Sequence, residues 1–317
     1  MSIILSNKEI EALTFEERNK YFLKLQEYLE KLQILNNKKL GLGHEIITKI
    51  YPFLRNYDYE IIGAENIPDN GKALFLCNHS NSHDFFTPHE VFKKLGSNVC
   101  VFCANDDINI ATQILFKACD AVLIDRRNKK STENGMIEFS SNLVSGMPGV
   151  LYGESTWNLH PYKPMQQIKL GASMIGAMTG VPIIPTIFEY VEVPKICEKE
   201  SELYTKCVVK FGQPIMISRE ESLIKQTQNL QTIMEQSRLD LWNELGIMRT
   251  SLSDVDIEKY LNHTYLKKFE AIGFTYDSLS ESKFLYSKDK LPVENEFCLD
   301  ENGNFVPGVT YKKTKRG

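Results

Sequence analysis

Residues 73–86 read ALFLCNHSNSHDFF. An apolar run, Ala73 to Cys77, has the length and texture of a buried strand, and it empties at once into Asn78, His79 and, five residues on, Asp84. A base and a carboxylate at the mouth of a buried strand can serve chemistry. The same spacing also arises by chance in a chain with six histidines and many aspartates. The triplet Asn78-His-Ser80 has the form of a glycosylation acceptor, which has meaning only in a secreted protein. What surrounds the stretch must decide between these readings.

Outward from it, short β-rich runs alternate with helical stretches. The runs are Ala73 to Cys77, Val99 to Cys103, Ala121 to Ile124, Gly149 to Tyr152, Pro182 to Phe188 and Cys207 to Phe211. Helical patterns fall near Phe85 to Leu95, Ile108 to Lys117, Glu133 to Val144 and Gln166 to Thr179, and an amphipathic helix spans Leu223 to Leu245. Strand and helix in alternation predict an α/β fold. Several runs are apolar at every position, as in a mixed, largely parallel sheet flanked by helices on both sides.

Before this unit, Ser6 to Glu9 and Thr14 to Glu17 have the form of capping boxes. The second opens a long helix whose stripe, Tyr21, Leu25, Tyr28, Leu32 and Leu35, either docks on the core or lies on a lipid surface flanked by lysines. A second helix is expected over His44 to Leu54. After Gly246 the chain turns polar, with a plausible helix at Val255 to Ala271 and a basic end, Lys312 to Arg316, read as a solvated tail. The expected organisation is an N-terminal helical pair in 1–55, a catalytic domain in 56–246 and a C-terminal extension of unassigned role in 247–317.

Of 317 residues, 42% are hydrophobic and 25% charged, which suits a sizeable soluble core. Lys and Arg number 37 against 41 Asp and Glu, a net charge of −4 without the basic surplus of a nucleic-acid binder. No secretory leader pattern opens the chain. The longest uncharged apolar run, Leu170 to Phe188, is broken by glycines and prolines and reads as helix, turn and strand rather than a membrane span. Seven scattered cysteines fit reduced thiols. Cys100 and Cys103 share a CxxC spacing, but on a strand they point to opposite faces, which disfavours a redox pair.

The strand ends carry the polar residues. Cys77 leads to His79 and Asp84, Ile124 to Asp125, Arg126 and Arg127, and Tyr152 to Gly153, Glu154, Ser155 and Thr156. In open α/β sheets ligands bind outside the carboxyl ends of strands, so a base, a cation and a carboxylate converge on one edge. That order, from about Tyr59 to Ile215, resembles the PlsC-like glycerolipid and lysophospholipid acyltransferases. The His-x4-Asp box matches at His79 and Asp84, the strand ending in arginine at Val122 to Arg126, and the Val-Pro-Ile-Ile-Pro segment at Val181 to Pro185. The third box departs: the family's Pro-Glu-Gly-Thr-Arg reads Gly153-Glu154-Ser155-Thr156-Trp157 here. An arginine fork suited to phosphate is replaced by an aromatic face with one N–H.

The resemblance implies a glycerol-phosphate acyltransferase-like fold and transfer of an acyl chain from acyl-CoA or acyl-ACP to a hydroxyl, most readily that of a lysophosphatidic acid-like glycerolipid. His79 and Asp84 are then catalytic, and Arg126, Glu154, Ser155, Thr156 and Trp157 substrate-binding. No bound cofactor or metal is expected, and the thioester is a substrate. An alcohol needs a base near neutral pH, and histidine oriented by a carboxylate supplies one. His83 is a decoy beside Asp84; a metal set of His79, His83, Asp84 and His89 finds no convincing further ligands. Arg126 suits an anion, while Lys129 and Lys130 read as a solvated loop. Glu154 has two readings, as a hydroxyl acceptor or as a partner for Arg126. Trp157 favours a sugar, polyol or cell-envelope acceptor as the alternative, and a catalytically inactive lipid-binding protein is the reading from another class. The expected place is cytoplasmic, peripheral at the inner face of the membrane.

Overall fold

The computed structural model describes residues 3–35, 49, 57–80, 84–105, 110–155, 158, 164–193 and 204–247. Thr156, Trp157 and His83, the expected helix over 44–54 apart from residue 49, and the extension beyond residue 247 lie outside them.

Helices α1 (Asn7–Glu11) and α2 (Phe15–Leu35) come first. Both capping boxes form. Ser6 and Glu9 exchange side-chain and backbone bonds, and Thr14 does the same with Glu17. The sheet strands are β1 (Asp58–Ile62), β2 (Leu74–Cys77), β3 (Cys100–Ala104), β4 (Val122–Ile124), β5 (Gly149–Tyr152), β6 (Ile183–Val193) and β7 (Tyr204–Phe211). The helices between and after them are α3 (Thr87–Lys94), α4 (Ile110–Ala118), α5 (Lys129–Val144), α6 (Gly171–Thr179) and α7 (Leu223–Glu244).

The order across the sheet is β1-β7-β6-β2-β5-β3-β4. Pairs are parallel except β6 with β7, which run antiparallel. The architecture is therefore a mixed, mostly parallel seven-stranded sheet flanked by helices. Every residue of β2 and β5 is buried, which explains their unbroken apolar runs. One core layer joins Leu74, Leu76 and Ile183 to α2, α5, α6 and α7. The other joins Phe75, Cys77, Tyr152 and Phe188 to α3 and α4. Cys100 belongs to the first layer and Cys103 packs on the second, the opposed directions that strand geometry requires.

Helix α2 docks on the core. Its buried line is Phe22, Leu25 and Leu29, one turn-face away from parts of the anticipated stripe, with Tyr28 turned outward. Among the described residues no helix is long and apolar enough to cross a membrane. Two elements differ from expectation. Strand β1 was not anticipated as a strand. The helix expected from Gln166 begins only at Gly171, because residues 166–169 are drawn into extended contacts: Ile168 N–H donates to Gln231 at 2.6 Å and Lys169 N–H to the Gly153 carbonyl at 2.9 Å.

Candidate active site

The site forms where the parallel strands β2, β3, β4 and β5 end together. Asn78 replaces one further step of β2: its Oδ1 accepts the Phe188 N–H at 2.8 Å and its Nδ2 donates to the Phe188 carbonyl at 3.0 Å. The side chain thus satisfies the β6 edge while the main chain is released to turn outward. His79 follows, with its side chain 21% exposed, against 1% for Asp84.

The histidine Nδ1 lies 2.9 Å from Asp84 Oδ2. That oxygen also accepts the Ser80 N–H at 2.8 Å, which curls the turn back on itself. The other carboxylate oxygen, Oδ1, is 2.7 Å from the Tyr190 hydroxyl, itself 2.9 Å from Thr87 Oγ1. One phenolic proton cannot serve both contacts. Tyr190 donates to the carboxylate and Thr87 to Tyr190, since the carboxylate can only accept. Beneath the imidazole lies Tyr152, its ring stacked at 4.5 Å between centroids and its hydroxyl donating to the Asp84 main-chain carbonyl.

Burial pushes the Tyr152 and Tyr190 hydroxyls far above the usual phenol value, and the charge on Asp84 adds to it, so both stay protonated as donors. The thiols of Cys77 and Cys207 are raised by the same burial, which removes them as thiolate nucleophiles. With Nδ1 on a carboxylate, Nε2 is the ring nitrogen that can take up a proton.

Glu154 is buried at the turn after β5. Oε1 accepts the His79 N–H at 2.7 Å, and Oε2 accepts the Gln166 N–H. Burial pushes its carboxyl up to about 8, against the pull of those two N–H groups and of Arg238. Its oxygens thus clamp main chain on both sides of the site. Ser155, next in line, is exposed and sits in the left-handed region at φ 59°. Its N–H closes the turn onto the Tyr152 carbonyl at 3.2 Å, and its carbonyl accepts Arg126 Nη1 at 2.9 Å. The arginine from the end of β4 therefore reaches over β3 to the β5 turn.

The structure thus brings together His79, Asp84, Arg126, Glu154 and Ser155. Asn158 is buried close by, its N–H donating to the His79 carbonyl. His89 is fully buried on α3 against Phe85. Among the described residues no three His, Cys, Asp or Glu side chains cluster to hold a metal. Sequence reasoning passed over Tyr152, Tyr190, Thr87 and the buried pair of Arg238 and Glu189. The pair is joined at 2.8 Å, with Arg238 also donating to the Pro164 carbonyl at 2.7 Å. Burial works to lower the Arg238 pKa, but Glu189, Glu154 and Asp84 outweigh it and the pKa is raised.

An α/β sheet with a histidine–carboxylate pair at its strand ends is an arrangement suited to proton abstraction beside an electrophile. Residues 58–189 match the family model described as Acyltransferase, a span that begins at β1 and holds every described site residue named in the sequence reading. Over this span the chain carries an acyltransferase domain, and it is an acyltransferase. Among solved structures it is similar to the crystal structure of the 1-acyl-sn-glycerophosphate (LPA) acyltransferase, PlsC, from Thermotoga maritima. That similarity is at 16% identity and TM-score 0.44, over 77% of this chain and 88% of that one. A sequence search of curated proteins finds no match.

Proposed function

We propose that this acyltransferase moves an acyl chain from acyl-CoA or acyl-ACP to a free hydroxyl of a lysophosphatidic acid-like glycerolipid. The observation that carries the mechanism is the 2.9 Å contact between His79 Nδ1 and the buried carboxylate of Asp84. Nε2 takes the proton of the acceptor hydroxyl as its oxygen attacks the thioester carbonyl carbon. The tetrahedral intermediate collapses by breaking the C–S bond, and the imidazolium returns the proton to the departing thiolate sulfur. Ester and free thiol are the products. Asp84 holds the tautomer and stabilises the imidazolium. The substrate hydroxyl is itself the nucleophile, so the inert buried thiols are consistent with this route.

Arg126, exposed at the strand end, is suited to an anionic group of donor or acceptor. Thr156 and Trp157 complete the acceptor side in this proposal, with Glu154 and Ser155 shaping the turn that presents them. Trp157 in place of the family arginine favours a second reading, a sugar, polyol or cell-envelope acceptor that stacks on the indole. The bilayer's cytoplasmic face is the proposed place of work.

The test is release of free thiol from acyl-CoA and acyl-ACP donors with lysophosphatidic acid, glycerol phosphate or neutral polyols as acceptors. Lysophosphatidic acid should stimulate release, and His79→Ala should lower it by roughly 10²–10⁴-fold, the usual worth of a general base. Release that depends on polyols alone would move the acceptor to the second reading. Release unaffected by His79→Ala would remove His79 from the mechanism.

A further inference from the structure

Helix α7 lies beyond the matched span of residues 58–189, yet one of its faces is bonded toward the active site. Gln231, Glu235 and Arg238, at i, i+4 and i+7, share that face. Gln231 Oε1 accepts the Ile168 N–H at 2.6 Å, and its Nε2 donates to the Gln166 carbonyl at 3.1 Å. The second Nε2 hydrogen goes to Glu235 Oε1, so the amide is held in place from within its own helix. One helical turn further on, Arg238 donates to the Pro164 carbonyl of the same segment.

The segment requires such a partner. Gln166 and Ile168 are buried, and buried main-chain donors and acceptors must be paired. The turn after β5 takes one side of it: the Gln166 N–H goes to Glu154 Oε2 and the Lys169 N–H to the Gly153 carbonyl. The Gln166 carbonyl and the Ile168 N–H then need a donor and an acceptor at one place, and a carboxamide carries both. Asn78 meets the same demand at Phe188. The two amides sit at opposite ends of one path. Asn78 seats the chain just before His79. From Gln231 the path runs to Gln166, from its N–H to Glu154, and from Glu154 Oε1 to the His79 N–H at 2.7 Å.

We propose that Gln231 is a positioning residue for acyl transfer, through which α7 sets the main chain of His79 by way of Gln166 and Glu154. This rests on the catalytic reading of His79 above and adds to it an element outside the acyltransferase match. Each Glu154 oxygen holds one N–H, so a shift of the Gln166 end turns the carboxyl and carries the His79 peptide with it. Gln231 touches no reacting atom. It acts on the alignment of the imidazole with the attacking hydroxyl, which belongs to kcat rather than to substrate binding.

The experiment pairs thiol release from acyl-CoA, with lysophosphatidic acid as acceptor, with amide hydrogen exchange read by NMR on the full chain. Gln231→Met keeps the side-chain length and removes both bonds to the segment. The swap Gln231→Glu/Glu235→Gln is the gentler variant: it keeps the pair within α7 and the acceptor for Ile168, and loses the donor to the Gln166 carbonyl. Well below the melting temperature, Gln231→Met should lower kcat roughly tenfold and the swap roughly threefold, each with KM within about twofold of wild type. The His79 N–H should exchange at least about tenfold faster in Gln231→Met, while the Phe188 N–H, held by Asn78, keeps its wild-type rate. Equal acceleration at both amides would make Gln231 a stabiliser of the fold and overturn the proposal, as would a rise in KM alone. If His79→Ala loses thiol release while both Gln231 variants retain wild-type kcat, the positioning role alone falls. If His79→Ala retains it, the catalytic reading falls and this proposal with it.

Discussion

The carboxylate of Asp84 accepts on both oxygens: from Ser80 N–H and His79 on one, from Tyr190 on the other. A charged acceptor so held cannot rotate away from the imidazole, and a hydrogen bond to a charged group is worth about 1.5–3 kcal/mol. Tyr190→Phe should therefore lower kcat by roughly 10- to 100-fold with little change in KM, since Tyr190 acts through Asp84. An unchanged kcat together with a lost Tm would reduce Tyr190 to a structural role. Ser155 offers a second test at this scale. Its φ of 59° costs a residue with a Cβ about 1–2 kcal/mol, partly offset by glycine's larger unfolded-state entropy. Ser155→Gly should raise Tm by roughly 2–4 °C for a net gain near 1 kcal/mol, read by thermal denaturation. The glycine that the family places at this position thus has a backbone reason, one visible only once the turn is seen. His79, Asp84 and Arg126 were legible because strand ends and spacing announce them. Tyr190 was not, because nothing in its local sequence states which residue it faces across the fold.

Strand β6 explains how it gets there. It pairs with β2 from Ile183 to Thr186, then continues to Val193 after β2 has ended. The overshoot carries Tyr190 to Asp84 on one face and Glu189 to Arg238 of α7 on the other. Apolar strands buried on both faces are the easiest elements to read, and six of the seven were anticipated. Strand β1, half exposed and alternating, lacks that signal, as does the end of β6, where polar residues continue the ladder with β7. The ion pair between β6 and α7 is equally silent in sequence, since Arg238 sits in an ordinary amphipathic helix pattern. Its energetics can be tested. Arg238→Met leaves the buried Glu189 uncompensated and should destabilise the fold by about 3–5 kcal/mol. Adding Glu189→Leu should recover most of that loss in denaturant titrations, because an apolar pair removes the charge that had lost its partner. If the double variant stays as unstable as the single, the pair's worth lies instead in the Arg238 bond to the Pro164 carbonyl, which holds the segment entering the site.

Across the whole molecule, the turns after β2 and β5 and the segment entering α6 meet at one buried carboxyl, that of Glu154. Its pKa stands at about 8 against an ordinary 4.5, chiefly through burial. The folded state therefore holds a proton that the unfolded chain has released over the intervening range. Stability from this group is fully present below the unfolded value and falls as pH rises toward the folded one, because the slope follows the difference in bound protons. The wild-type Tm should decline from about pH 5 to about pH 8 and flatten above it. Glu154→Gln cannot titrate, so its Tm should lack that decline. It should also start lower at acid pH, since the amide turns an NH₂ toward one of the two main-chain donors that the carboxyl accepts. The activity readout is separate: with His79's own N–H anchored on this side chain, the variant should lose kcat even where it is fully folded. A wild-type Tm that is level across this range, or a decline that survives Glu154→Gln, would show that the carboxyl is ionised throughout and that its two N–H donors and Arg238 outweigh the cost of burying it.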